Sequence, residues 1–377
     1  MKGRSNQAAT TVEPLERRRL MSVTVENLPV PIPSVYDYSS EGATVSDLTL
    51  GSDQYVWYNS NRSGLAFTFK VNKKGRAVDS VPDLAVEADE IGAVAAGPDG
   101  YTFLNTAVLF DDIRLGRDLI YKVSRRGNVD EFDVADYGSG RTFQDMAVAS
   151  DGSVLYAYPF DQKIYRTTGS DTDVVLATIT GNVQRMVTAA DGSIWFTETG
   201  ARRIGHLTTR GKLTEYKVPT DEAYDIAPGP DGALWFTEPA ANKVGRIDQR
   251  GRVSEYALPT GGAVPSGITG GPAGSNTVWF TEPGQRRLAS IRTDGSHIKE
   301  LALGRSMRGP NWITAGNDGR IYFSRVGGVS RVTITPARVA TTTAAASLAA
   351  VSRTLKPAMS FSTIGISSSS SRHPWDD

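Results

Sequence analysis

Three stretches of this chain nearly repeat one another: DGSIWFTE over 191–198, DGALWFTE over 231–238 and, more loosely, AGSNTVWFTE over 273–282. Trp195, Trp235 and Trp279 therefore recur at a spacing of about forty residues. A strand-rich repeat of that length cannot bury its apolar face alone. Stacked around an axis, such units form an all-β propeller with one four-stranded blade per repeat.

Two turn signals count the blades. One precedes the aromatic strand, at Ser52-Asp53, Asp99-Gly100, Asp151-Gly152, Asp191-Gly192, Asp231-Gly232, Ala273-Gly274 and Asp318-Gly319. Asp-Gly between strand-like runs favours a tight hairpin, because glycine takes positive φ without steric cost. The other follows that strand, at Gly75, Gly127, Gly169, Gly211, Gly251 and Gly295. Seven of the first and six of the second predict a seven-bladed propeller whose last blade lacks its own fourth strand. The segment SVTVENLP at 22–29 resembles the outer-strand segments LTEYKVP at 213–219 and VSEYALP at 253–259. It is expected to pair onto the last blade near 329–334 and so remove an exposed sheet edge.

Within a blade, chemistry orders the strands. The small and apolar first strand, as in DIAPG at 225–229, should line a central channel. The second is aromatic, and Trp195, Trp235 and Trp279, with Phe103 and Tyr322 in equivalent places, should pack between neighbouring blades. The third carries a glycine, in RIGHL at 203–207 and KVGRI at 243–247, where a side chain would obstruct close packing. The fourth is amphipathic, with Tyr216 and Tyr256. Blades four to six keep the repeat closely, and blades one to three keep the strands but lose the Trp-Phe-Thr-Glu.

Composition narrows the function classes. The 377 residues carry 41 basic and 41 acidic side chains, so nothing in the charge balance suggests a nucleic-acid partner. Cysteine is absent, which rules out disulfides and thiolate chemistry. Histidine occurs only at 206, 297 and 373, too few for a multi-histidine metal centre. No run is apolar enough to span a membrane as a helix, and nothing marks an oligomer interface, so a monomer is expected.

Both ends differ from the repeats. Residues 1–22 form a basic segment in which EPLERRRLMS, at 13–22, resembles an export motif of planctomycete surface proteins. That resemblance implies an extracellular or cell-surface location. The propeller is expected over 23–335. The tail over 336–377 is rich in Ala, Ser and Thr and holds too little apolar surface to offset chain entropy, so disorder is expected there.

Alternating hairpins put the lead-in to each first strand and the end of each second strand on one rim, around the channel mouth. Counting back seven residues from the hairpin aspartate, or its equivalent, gives Ser46, Gly92, Gln144, Gln184, Tyr224, Ser266 and Asn311. These mostly polar, uncharged residues suit hydrogen bonding better than proton transfer. Glu222, Tyr224, Ser266, Asn311 and Trp312 make the candidate ligand-binding group, for a small molecule, a peptide or an acidic polysaccharide. Glu198, Glu238 and Glu282 end their strands on the same rim, with Arg202, Arg203, Lys243, Arg286 and Arg287 close behind. They are either internal ion pairs repeated by descent or a site in which carboxylates hold a divalent cation or arginines hold an acidic ligand.

The decad GPDGALWFTE at 229–238, NKVGRI at 242–247 and the Leu258-Pro259-Thr260 strand end resemble the streptogramin B lyases. The resemblance is recognisable over about 44–335 and strongest in blades four to six. It implies a seven-bladed propeller and a magnesium-assisted elimination that opens a cyclic depsipeptide. In that family a histidine base stands in the lead-in, and the glutamate of the Trp-Phe-Thr-Glu strand helps hold magnesium. The glutamate carries over to Glu238 and Glu282, which become the candidate magnesium ligands. The histidine does not, because Tyr224, Ser266 and Asn311 stand in its place in blades five, six and seven. No catalytic residue is assigned. The leading expectation is a ligand-binding or surface scaffold. The alternatives are a working magnesium-dependent lyase and a lactonase-type hydrolase, for which Asp225 is one candidate metal ligand.

Overall fold

The computed structural model describes residues 21–28, 44–62, 65–72, 74, 77–79, 90–110, 115–134, 143–169, 173–305 and 307–336. Among these residues the strands form seven four-stranded antiparallel sheets, each in sequential order except the last. Blades one to six span 44–79, 90–133, 145–178, 182–217, 226–257 and 268–302. In blade seven, Ile313–Ala315, Ile321–Arg325 and Gly328–Pro336 are joined on the outer edge by the N-terminal strand Met21–Asn27. The Leu28 amide donates to the Val329 carbonyl, and Arg331 pairs with Glu26. The fold is the seven-bladed propeller expected from the repeat count, closed by the segment expected to close it. Gly75 and the terminal stretches 1–20 and 337–377, with the basic arm and the Ala/Ser/Thr-rich tail, lie outside the described residues.

The repeat can be read as packing. Trp195 is fully buried in a cluster with Ile226, Leu234 and Phe236 of blade five, and Trp235 likewise with Ile268, Val278 and Phe280 of blade six. Phe196 faces the other way, onto Leu155 and Ile164 of blade three. Alternate side chains of one strand thus bind two different neighbours, as the period-two geometry of a strand requires. Gly205 and Gly245 lie directly beneath Phe196 and Phe236, and a Cβ at either would overlap the ring.

The hairpin aspartate has a second duty beyond the turn. In blades one and five its carboxylate accepts the buried indole N–H, from Trp57 to Asp53 at 2.8 Å and from Trp235 to Asp231 at 3.2 Å, whereas in blade four Trp195 donates to the Ser193 hydroxyl at 3.2 Å. In blade six the hairpin is two residues longer and begins with Ala273 instead. There the Trp279 Nε1 is buried without a partner.

The threonine of each Trp-Phe-Thr-Glu joins one blade to the next. Thr197 accepts from the Arg185 amide of its own blade and donates to the Tyr224 carbonyl of blade five, at 3.1 and 3.0 Å. Thr237 bridges the Asp225 amide to the Ser266 carbonyl, and Thr281 bridges the Gly267 amide to the Asn311 carbonyl. Asn59 does the outward half of this in blade one, donating to the Gly92 carbonyl at 3.0 Å. These bonds fix the backbone of the lead-in residues, and so position the channel mouth.

Candidate functional site at the channel mouth

Three of the seven lead-in positions are set apart from their strands by β-bulges. The pairing register shifts across Ser46 in blade one, Gly92 and Ala93 in blade two, and Gln184 in blade four. A bulged residue leaves the ladder and its side chain is re-aimed. Five of the seven lead-in residues, Ser46, Gly92, Gln144, Gln184 and Tyr224, line one cavity of about 250 Å³, together with Asp47, Ala93, Arg185 and Trp312. A second cavity, of about 430 Å³, continues along the channel between the first strands of all seven blades. Arg185 and Trp312 belong to both cavities and form the partition between them.

That partition is ionic. Arg185 reaches carboxylates on three other blades: Asp47 at 3.1 Å, Asp225 at 3.4 Å and Asp145 at 3.5 Å. Its guanidinium lies over the Trp312 ring, 4.5 Å from the centroid, a cation–π contact. Each aspartate also accepts an amide from the first strand of the following blade: Val94 to Asp47, Met186 to Asp145 and Ile268 to Asp225, at 2.6–2.8 Å. Burial pushes Asp145 up to about 7, against the pull of Arg185. Burial also works against the charge on Arg185, yet Asp145, Asp47 and Asp225 together hold its pKa above the ordinary value. Asp225, the candidate ligand of a lactonase-type centre, is therefore engaged with Arg185 and with backbone amides.

The sequence-derived ligand group is only partly assembled. Tyr224 and Trp312 line the mouth, their rings near-parallel at 15° with centroids 6.4 Å apart. Ser266 and Asn311 stand beside that cavity rather than in its wall, and the Ser266 hydroxyl donates to the Asn311 side-chain oxygen. Glu222 is elsewhere employed, accepting the Gly200 amide at 2.8 Å. Sequence reasoning passed over Arg185, Asp47 and Asp145. The signal was one step further along the same alignment, where Asp47, Ala93, Asp145, Arg185, Asp225, Gly267 and Trp312 are equivalent. Three carboxylates and one guanidinium in a ring of equivalent positions must meet.

The glutamates do not form a rim. Glu198, Glu238 and Glu282 are each fully buried within separate blades. The basic residues pair instead with the outer-strand glutamates: Arg203 with Glu215, Lys243 with Glu255 and Arg287 with Glu300. Those outer glutamates also receive the amide and hydroxyl of Thr180, Thr220 and Thr260 in the connections between blades. Burial pushes Glu198, Glu238 and Glu282 up to about 7, and the nearby Glu215, Glu255 and Glu300 add to the shift. Among the described residues no three His, Cys, Asp or Glu side chains are grouped to hold a metal. The arrangement of Glu238 and Glu282 does not fit a shared magnesium ion.

The histidines are also accounted for. His206 stacks on Trp195 with centroids 4.1 Å apart, and burial lowers its pKa. His297 sits in the hairpin after Gly295 with its Nδ1 against the Ser296 hydroxyl, and His373 lies outside the described residues. Among the described residues no helix is long and apolar enough to cross a membrane.

Comparison with known proteins agrees with the propeller fold. The family model of the virginiamycin B lyases matches residues 128–351, more than half of the chain. A streptogramin B lyase structure superposes with a TM-score of 0.66 at 25% identity, over 83% of this chain and 98% of that one. The virginiamycin B lyase of Staphylococcus aureus superposes with a TM-score of 0.64 at 22% identity, over 83% and 99%. Its catalytically inactive histidine-to-alanine variant, solved with quinupristin, superposes equally well, at the same identity and coverage. These last two show likeness of fold. No curated protein sequence is significantly similar to the chain.

Proposed function

The chain belongs to the virginiamycin B lyase family, and on that premise we propose that it is an exported propeller that binds a small molecule at its channel mouth without cleaving it. The observation that carries this reading is the chemistry of the lead-in positions. An elimination needs a base whose pKa lies near neutrality. Where the resemblance calls for histidine, the chain has Tyr224, Ser266 and Asn311. Burial chiefly, then the charge of Asp225, pushes the Tyr224 phenol up, away from the range of a base. Neither Ser266 nor Asn311 titrates near neutrality. The carboxylates closest to the mouth are spent on Arg185.

Binding is supported by what remains: a concave, bulge-built mouth with an aromatic wall and uncharged hydrogen-bonding groups. The relative solved with quinupristin supports a small-molecule ligand for a fold of this kind. Export rests on the 13–22 segment, and fractionation of cells producing the full chain, with and without that segment, tests it.

The activity test is direct. The full chain is incubated with quinupristin and magnesium, and the mixture is followed by chromatography and mass spectrometry. The expected result is no new product. A product of unchanged mass means elimination and overturns the reading. A product heavier by one water means hydrolysis and moves the chain to the lactonase-type class.

A further inference from the structure

Three polar side chains at the channel mouth have no hydrogen-bond partner among the described residues. The Ser46 hydroxyl is buried and unbonded. The Gln144 and Gln184 side chains line the same cavity; the Gln144 amide N–H of the backbone donates to the Ala157 carbonyl, and the strand register skips Gln184. A native interior leaves few groups like the Ser46 hydroxyl unsatisfied, and those it leaves call for an explanation; the two half-buried carboxamides face the open mouth beside it. A carboxamide offers both donors and an acceptor, and a hydroxyl offers both. Their complement is a ligand whose own groups both donate and accept.

The charges at the mouth point the same way. Among the described residues Asp47 and Arg185 are the charged side chains in its wall, and they are bonded to each other at 3.1 Å. Asp47 also accepts the Leu48 and Val94 amides. Neither has charge to spare for an ionic ligand. At about 250 Å³ the cavity falls below the roughly 300–1,000 Å³ of pockets for drug-sized molecules. It has room for one ring, with the Tyr224 and Trp312 rings as an apolar wall for that ring's C–H face.

We infer that the channel mouth takes a single uncharged, hydroxyl-rich ring, a neutral aldopyranose either free or at the end of a glycan. This inference rests on the reading of the mouth as a binding site. The test is titration calorimetry of the full chain with neutral aldoses, with glucuronate and glucosamine, with neutral oligosaccharides and with quinupristin. Neutral sugars are expected to bind, and the charged sugars to bind at least tenfold more weakly. Binding of oligosaccharides alone identifies a glycan end as the source, whereas equal binding of the free sugars identifies the monosaccharide. Gln144→Ala and Gln184→Ala, on bulged or lead-in backbone that carries no core packing, are each expected to weaken binding about tenfold with unchanged melting temperature. Equal binding of glucuronate, or sugar binding indifferent to both substitutions, overturns the inference. Binding of quinupristin but of no sugar overturns it while keeping the proposed function. Binding of none of these overturns both.

Discussion

Blades four to six and the remaining blades keep the same architecture with different fidelity. In blades four to six, Trp195, Phe196, Thr197 and Glu198 and their counterparts are buried, the aromatic rings in packing and the threonines in bridging blades. In blades one and three those positions drift to other residues, such as Asn59, without loss of the sheet. The lead-in positions behave in the opposite way, since the residues around the channel mouth differ from blade to blade. What repeats is scaffold, and what fails to repeat at equivalent positions is the candidate site. A ligand at a pseudo-symmetry axis sees seven faces, and it can be held in one orientation only if those faces differ.

This contrast can be broken or sharpened by substitution. The largest effect is expected from deleting residues 21–28, which reopens blade seven and uncovers the edge of Gly328–Pro336. The melting temperature should fall by more than about 10 °C, and an unchanged value in calorimetry would show that closure is not needed.

Arg185→Met is next. It strands three buried carboxylates and should cost about 3–5 kcal/mol near pH 8. Asp145 is raised to about 7 by burial, and Asp225 is raised too. Their protonated forms are favoured in the fold, so the defect should shrink as pH falls through 7 towards 5. Denaturant titrations at pH 5 and pH 8 measure this, and a defect independent of pH would refute the ionic partition.

Gly245→Ala sets a Cβ against Phe236 and should cost about 1–3 kcal/mol by overpacking. Blade six already carries Ala289 at that place, opposite Phe280. Ala289→Gly should therefore cost less than about 1 kcal/mol, and equal losses in thermal unfolding would mean that the blades are not equivalent there.

Glu282→Gln should raise stability at pH 8 and leave it unchanged below about pH 4. Both Glu282 oxygens are buried without a hydrogen bond, and its pKa is raised to about 7. The stability the carboxyl contributes is fully present below its ordinary value of 4.5 and is lost as pH rises through 7. A gain of a few degrees confined to high pH is expected, and a loss at pH 8 would contradict it. The smallest effect separates two tryptophans: Trp235→Phe should cost about 1 kcal/mol more than Trp279→Phe, because only the first loses an indole hydrogen bond, to Asp231.

Much of the fold is legible in the sequence, because periodicity is local information. Hairpin aspartates and glycines, alternating strand residues and the third-strand glycine each impose geometry on their own neighbourhood. Seven copies, together with the orphan strand at 22–29, then close the ring. The candidate site was legible only in part. Lead-in residues could be aligned by counting, which found Ser46, Gln144, Gln184 and Tyr224 at the mouth. Which of them meet depends on bulges and on the distance across the channel, and neither is encoded within one repeat. Ser266 and Asn311 turned to each other, and Glu222 turned to Gly200.

The sequence by itself determined the blade count, the closure and the absence of lead-in histidines. Only the tertiary structure decided that Arg185 spans the channel to Asp47, Asp145 and Asp225. It alone decided that Glu198, Glu238 and Glu282 are buried rather than gathered at the mouth. The reason is physical: a repeat specifies each residue's place within its own blade. Charge pairing and burial are settled across blades, between residues as far as 138 positions apart in the chain, as Asp47 and Arg185 are.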